Sequence, residues 1–278
     1  MLLPVGNFGL DRAGHLRADQ SALDVLASSP STRILRVHDG RFSWDQGVAD
    51  SSDLIFLGLD ESSTAYFARH YEHQNLDATF SLRENDWPDF EVAIATHAVA
   101  LTNWHSSHQR CPRCGGATES ILSGAARRCL DDGSEHHPRS DPAVISLVVD
   151  GDDRLLLGRQ RVWPEKRFSA FAGFVEPGES LEGCLRRELL EECGVEIQTP
   201  QYLGSQAWPF PASLMVAFTA MATNPTQAKA DGVEIEEIKW FTRVELSEAY
   251  RQEELLLPPR ISIARRMIEH WYGSELHR

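Results

Sequence analysis

Three glutamates, Glu188, Glu191 and Glu192, follow one another at spacings of three and four residues. On a helix that spacing puts all three on one face. Like charges one turn apart repel, and carboxylates near a helix C-terminus oppose its dipole, each at a cost of some tenths of a kcal/mol. Two readings are open. Arg186 and Arg187 can neutralise a solvated acidic face, or the carboxylates await divalent cations whose charge reverses the sign of the problem. Oxygen ligands with no nearby histidine point to Mg²⁺ or Mn²⁺ rather than zinc. A carboxylate on such a face can also take a proton from water.

The flanking residues must position that face. Pro177 and Gly178 end a loop, Ser180 is placed as an N-cap, and Gly194 stands where a left-handed residue closes a helix. Leu181, Cys184, Leu185, Leu189 and Leu190 form an apolar stripe, so the spacing predicts a short amphipathic helix with that stripe buried.

From Gly173 to Val195 the pattern G-x5-E-x7-R-E-L-x-E-E-x-G-V resembles the Nudix box without a departure. The resemblance implies an α/β/α sandwich that hydrolyses nucleoside diphosphates linked to another moiety. Metals would neutralise the pyrophosphate and lower the pKa of water. By position Glu188 and Glu192 are implied metal ligands, and Glu191 is another ligand or the base. Arg187 and Glu179 are implied to form the ion pair that fixes loop on helix. The carbonyl of Ala172 is a further ligand candidate.

A second segment, Ser205-Gln206-Ala207-Trp208-Pro209-Phe210-Pro211-Ala212-Ser213-Leu214-Met215, narrows the substrate. Two prolines around Phe210 exclude a central strand there, since each lacks a ladder donor. An extended stretch carrying Trp208 and Phe210 can wall a planar ligand, or can pack its aromatics into a core. The segment resembles the S-Q-P-W-P-F-P-x-S signature of NADH pyrophosphatases, with Ala207 in place of a proline. Carried over residue by residue, substrate contacts are implied for Gln206 through Ser213 (Ala207, Trp208, Pro209, Phe210, Pro211 and Ala212 between them), and for Met215. The same resemblance places a metal-binding glutamate at Glu234, with Glu237 competing, and sets Ala264 against the substrate. It also implies that Phe174 stacks on the nicotinamide, and puts His137 where relatives carry an aromatic that reaches across a dimer interface. The alternation of Ile235, Ile238 and Trp240 suggests a helix-like turn running into a strand, and an amphipathic helix is expected to begin in the segment starting at Ile261.

Cys111-Pro-Arg-Cys114-Gly-Gly is a metal-knuckle signal, and Cys129 follows fifteen residues after Cys114. A redox pair is the alternative, but such pairs sit at helix N-termini and Gly-Gly starts a helix badly. The related enzymes carry a zinc ribbon here with four cysteines. This chain supplies three, and His136, Asp131 or Asp132 stands for the fourth; His136 is the ligand adopted.

The whole is expected to be a mixed α/β (α+β) protein: an N-terminal α+β domain over 1–105, a zinc-ribbon segment over 106–140, and the Nudix sandwich over 141–278. Strands are expected at Thr32–His38, Leu54–Leu59 and Ala143–Val149, and a helix between Trp87 and Trp104. The N-terminal region shows no catalytic constellation, and packing and homodimer formation are its expected work. The 278 residues carry 27 Lys and Arg against 41 Asp and Glu, a net charge of −14. That balance argues against capture of long nucleic acid by charge, though not against local binding of a 5′ end. No apolar run reaches membrane length. Met1-Leu-Leu-Pro-Val-Gly lacks a charged n-region and a cleavage site, so no leader is expected, and Leu276-His277-Arg278 is not a peroxisomal address. Five cysteines, two in a knuckle and two in one helix, form no disulfide framework, so a reducing cytoplasm is expected. The function expected is metal-dependent cleavage of NADH or NAD⁺ to nicotinamide mononucleotide and AMP, with removal of NAD caps from RNA 5′ ends as a close variant. The alternatives are a broader hydrolase of ADP-ribose or diadenosine polyphosphates, and a nucleotide-sensing module with an inactive Nudix domain.

Overall fold

In the computed structural model, residues 9–46, 53–71, 80–83 and 87–277 are described. Met1–Gly6, read above for a leader, and Arg278 lie outside them. The chain divides into two compact units, Gly6–Ser140 with Ala207–Ser213, and Asp141–Gln206 with Leu214–Arg278.

The first unit opens with α1 (Gln20–Ala27), β1 (Arg33–His38), β2 (Arg41–Gln46), β3 (Ile55–Leu59), β4 (Ala65–His70), β5 (Phe80–Ser81) and α2 (Asp89–Ser107). Its sheet runs β3-β4-β1-β2-β5. Asp39 and Gly40 both take positive φ, so a two-residue turn joins β1 to β2 and pairs His38 with Arg41. α1 covers one face through Leu23 and Ala27, which pack with Ile34, Phe56 and Phe67. A small antiparallel sheet follows, of β6 (Thr118–Ile121), β7 (Ala126–Cys129) and β8 (Glu135–His136).

The second unit contains β9 (Asp141–Val149), β10 (Leu155–Gln160), β11 (Phe171–Phe174), α3 (Leu181–Cys193), β12 (Ile197–Trp208), β13 (Ser213–Ala222), β14 (Ile235–Phe241), α4 (Arg243–Arg251) and α5 (Ile263–Tyr272). The strands form one sheet in the order β12-β13-β9-β10-β14, with β11 added against β9. Strand residues alternate faces, and here both faces are apolar. Ile145, Leu147, Leu155 and Leu157 point to α4 and α5, where Leu246, Met267 and Ile268 meet them. Val144, Val148 and Leu156 point the other way, to Cys184, Leu185 and Leu189 of α3. A sheet with helices on both faces is the sandwich the motif implies.

Two expectations are corrected. Leu190 does not join the buried stripe; it is 55% exposed, because α3 presents only Cys184, Leu185, Leu189 and Cys193 fully to the sheet. Nor does a helical turn precede Trp240. Ile235–Phe241 is strand throughout, and the spacing of three between Ile235 and Ile238 comes from a register shift opposite Arg159 and Gln160 that gives the strand one extra residue. Among the described residues no helix is long and apolar enough to cross a membrane.

Candidate active site

α3 is held at both ends. At its start Ser180 Oγ accepts from the Gly183 N–H at 3.1 Å, the N-cap expected from its type. At its end Gly194 takes φ 65°, and Gly194 and Val195 donate back to Leu190 and Leu189. The N–H groups of Lys229 and Asp231 donate to the carbonyls of Cys193 and Glu192. Those bonds satisfy the orphan carbonyls of the helix end and bring the loop before β14 to the acidic face.

The Gly173–Ser180 loop is fixed by one residue pair. Arg187 donates from Nε and Nη2 to the two Glu179 oxygens, both at 2.9 Å, a bidentate bridge. Glu179 also accepts from the Glu176 N–H, and Arg187 donates to the Phe174 carbonyl. The guanidinium therefore holds the Glu179 carboxyl down at about 2. Arg187 Nη1 meets Glu188 at 2.9 Å and Glu191 at 3.1 Å, so one cation aligns two of the three clustered carboxylates. Gly173 is required beneath them: a Cβ there would overlap the Glu188 carboxylate.

Glu192 is different. It is only 4% exposed, and its Oε2 has no hydrogen-bond partner. Burial, with the charges of Glu234, Glu188, Asp231 and Glu191 around it, pushes its carboxyl up to about 8. A buried, orphaned carboxyl facing four other carboxylates fits a divalent cation, whose charge would satisfy all of them. Glu234 is the strand-side member; it accepts from Gln160 at 2.8 Å. Its competitor Glu237 is engaged by Arg159 at 3.4 Å.

In the ribbon, two tight turns face each other. In the first, Cys111 N–H donates to the Gly116 carbonyl and Gly115 N–H donates back to the Cys111 carbonyl; in the second, Cys129 N–H donates to the Ser134 carbonyl and Gly133 N–H back to that of Cys129. Arg113 N–H and Gly116 N–H point at the sulfurs of Cys111 and Cys114, and Asp132 N–H at that of Cys129. One atom each of Cys111, Cys114, Cys129 and Asp132 lies within 4.8 Å of the others. Ligands of tetrahedral zinc stand about 3.8 Å apart when bonds to sulfur are about 2.3 Å. Cys114 and Cys129 sulfurs at 3.4 Å, and Cys111 to Asp132 at 3.9 Å, fit that set. Burial raises the Cys111 thiol, but hydrogen bonds from Ser134 and the backbone outweigh it and bring it to about 6, toward the thiolate a metal needs. His136, the fourth ligand adopted above, has Asp132 as its competitor in this geometry. His136 is on β8, its Nε2 3.3 Å from Cys111 Sγ and 3.1 Å from Ser134 Oγ, while the three sulfurs and an Asp132 oxygen already form a four-ligand group.

The signature segment is a strand end and a turn rather than an extended wall. Trp208 closes β12, residues 209–212 turn, and Ser213 opens β13. Trp208 and Phe210 pack edge to face with centroids 5.2 Å apart, and the Arg83 guanidinium lies 4.1 Å over the Phe210 ring. Asn103 donates to the Pro209 carbonyl at 3.1 Å. Gln206 is 4% exposed and its amide is used twice, donating to the Ile261 carbonyl and accepting from the Ile263 N–H.

Residues 139–261 match the family described as NUDIX domain, and residues 106–136 match the NADH pyrophosphatase zinc ribbon domain. The NAD-capped RNA hydrolase NudC of Mycobacterium tuberculosis is 38% identical over 295 residues, covering 96% of this chain and 94% of its own. The human NAD-capped RNA hydrolase NUDT12 is 36% identical over 77% of this chain and 49% of its own. The chain belongs to the zinc-ribbon family of Nudix hydrolases. A crystal structure of a Nudix hydrolase from Nitrosomonas europaea matches 61% of the chain and 96% of its own, at 20% identity and a TM-score of 0.45.

Within the Nudix frame the remaining residues fall as follows. Ala172 sits in β11 opposite Ile145. Phe174 ends that strand, 58% exposed. Met215 is half-buried against the α5 side of the core, where Ala264 is buried. His137 is exposed after β8, and Ala207 is exposed on β12. Sequence reasoning missed Asp231, whose carboxylate accepts from the Glu234 and Ile235 N–H groups and so holds Glu234 in place. An Asp-Gly pair ahead of a strand is the signal that marks it. It also missed Arg83, for which no sequence signal exists.

Proposed function

We propose that this enzyme hydrolyses the pyrophosphate bond of NADH and NAD⁺ to nicotinamide mononucleotide and AMP, and removes NAD caps from RNA 5′ ends. The observation that carries the chemistry is the buried, partnerless carboxyl of Glu192 among Glu188, Glu191, Glu234 and Asp231. Mg²⁺ or Mn²⁺ is the cation proposed, with Glu188, Glu192, Glu234 and the Ala172 carbonyl as its ligands. When bound, it supplies positive charge to the pyrophosphate and lowers the pKa of water. The protein's own residues do the rest. Arg187 and Glu179 hold loop and helix in register. Glu191, exposed at the end of the cluster, serves as a further ligand or takes the proton of the attacking water. Water oxygen joins one phosphorus, the bridging P–O bond breaks, and the second phosphate leaves with the electron pair.

Substrate choice is assigned to Phe174, Trp208, Pro209, Phe210, Pro211, Ala212, Ser213, Met215 and Ala264, with His137 and Ala207 as peripheral members. Gln206 is a positioning residue, since its amide is spent on the α5 entrance. Zinc on Cys111, Cys114, Cys129 and Asp132 is the structural metal. The names of the relatives support the NAD-cap reading. The three-part division at 105 and 140, a homodimer and a cytoplasmic location complete the proposal.

One comparison tests it: kcat/KM for NADH, NAD⁺, ADP-ribose and NAD-capped RNA, each with Mg²⁺ and with Mn²⁺. Preference for the nicotinamide substrates is expected. Equal rates on ADP-ribose would remove the substrate assignment, and no turnover at all would leave a binding module.

A further inference from the structure

A cavity of about 630 Å³ lies in the first unit, and none of the residues lining it has been given a role above. That volume is within the range of ligand sites, about 300–1,000 Å³. Three separate parts of the unit build it: the ends of β1 and β4 supply His38 and His70, the end of α2 supplies His105, and the ribbon supplies Arg110 and Arg127. Asp39, at the β1–β2 turn, is the one carboxylate in the lining. In a chain of net charge −14, a cavity with two guanidiniums against one carboxylate is a local inversion of sign.

Some of these groups are spent on holding the others in place. Arg127 is locked in place, donating to Thr118 Oγ1 and the Thr118 carbonyl at 2.7 Å and to His105 Nδ1 at 2.9 Å. His105 is fixed in turn by the Gly124 carbonyl at 2.9 Å. Such a network leaves Arg127 with unused N–H groups in a fixed direction. The Arg110 side chain has no hydrogen bond or ion pair among the described residues. His38 faces His70 at 5.9 Å between ring centroids, and its buried Nδ1 has no partner. Its Nε2 stands 3.6 Å from Asp39, whose side chain is 90% exposed at the mouth. Fixed donors, a free guanidinium and an orphaned imidazole nitrogen around an open space describe an oxyanion site.

Its neighbour gives it a purpose. The turn through Pro209 and Phe210 rests on Gly40, where a Cβ would come within 3.3 Å of the Phe210 ring, and on Asn103. Gly40 follows Asp39 directly, and Asn103 precedes Ser106 by one helical turn; Asp39 and Ser106 both line the cavity. The cavity therefore flanks the turn assigned to substrate choice.

We propose that this cavity binds backbone phosphate of the RNA chain that follows the cap, through Arg110, Arg127 and His38. The inference rests on the cap-removal reading above and adds to it a second subsite, one that free dinucleotide does not use.

The test compares two substrates in the full-length protein. Arg110→Glu and His38→Gln should each raise KM for NAD-capped RNA about fivefold or more, and Arg110→Glu should also flatten its dependence on log salt by about one unit. kcat on RNA, and both constants for NADH, should stay as they are. Fluorescence anisotropy with uncapped 5′-monophosphate RNA gives a readout independent of turnover, and the same variants should weaken it. Unchanged KM and unchanged RNA binding in both variants would overturn the proposal. Displacement of nothing by RNA, but occupation by millimolar inorganic phosphate, would overturn it too, since the site would then serve a free anion. Loss of NADH turnover in the unmodified protein falls on the proposed function instead, and the anisotropy arm still judges the cavity.

Discussion

Glu192 is the residue whose environment says most. Its carboxyl, raised to about 8 from an ordinary 4.5, favours the protonated form in the folded, metal-free protein. A group raised on folding contributes stability that is complete below its unfolded value and is lost as pH climbs through its folded one. Without added Mg²⁺, therefore, the melting temperature should fall as pH rises from about 5 to about 8, and Glu192→Gln should remove that slope. Added Mg²⁺ should help most at the alkaline end, where no proton need be displaced. Melting curves with and without Mg²⁺ across that range decide the matter; a slope that survives in Glu192→Gln would mean the titrating group is elsewhere. The same variant should lower kcat by orders of magnitude with the fold intact. Gly173 makes a complementary case. A Cβ there would overlap the Glu188 carboxylate, the far end of a side chain that can shift, so Gly173→Ala should cost little stability yet move a ligand. A fall in kcat of more than about tenfold with a melting point nearly unchanged is the expected result; wild-type turnover would show that Glu188 can hold its cation from another position.

At the scale of elements, much of the second unit was legible because its rules are local. The N-cap, the left-handed Gly194 and the apolar stripe of α3 are each properties of a few consecutive residues. What escaped depends on pairing across the chain. Ile235 and Ile238 mimic helical spacing only because β14 gains one residue against β10, and no periodicity along one strand reveals a register shift against another. Gln206 looks like a substrate contact until the α5 entrance is seen to use both ends of its amide. In the ribbon the signal was present but outweighed: Cys129-x2-Asp132 repeats the spacing of Cys111-x2-Cys114, while histidine is the more familiar zinc ligand. The turn favours Asp132, since backbone N–H groups of each knuckle point to the first sulfur and the second ligand stands three residues after that sulfur in both. Asp132→Ala should accordingly lower bound zinc well below one per chain, as Cys111→Ser should, and His136→Ala should retain it. Metal analysis of the three purified variants distinguishes them, and the reverse ranking of Asp132 and His136 would restore the histidine.

The molecule as a whole is two cores, each with its own group of candidate metal ligands. Leu23, Ile34, Phe56 and Phe67 pack within the first unit, whereas the residues above and below the β9–β10 sheet pack within the second. The cysteine group belongs to the first, and the carboxylate group to the second. A ligand that binds only the folded state stabilises the unit that holds it, by an amount set by its concentration over its Kd. Two metals on two cores should therefore act on different parts of the melting profile, and a chain built this way has no reason to unfold in one step. Calorimetry should resolve two transitions. Mg²⁺ titration should raise one of them, and Glu192→Gln should cancel that rise alone. Stripping zinc, or Cys111→Ser, should lower the other and leave the Mg²⁺-sensitive one in place. The β12–β13 hairpin is the element that argues against this, because its turn belongs to the first unit and its strands to the second. If that covalent and hydrogen-bonded link dominates, one transition will move in response to both metals, and the two cores will have to be treated as a single cooperative fold.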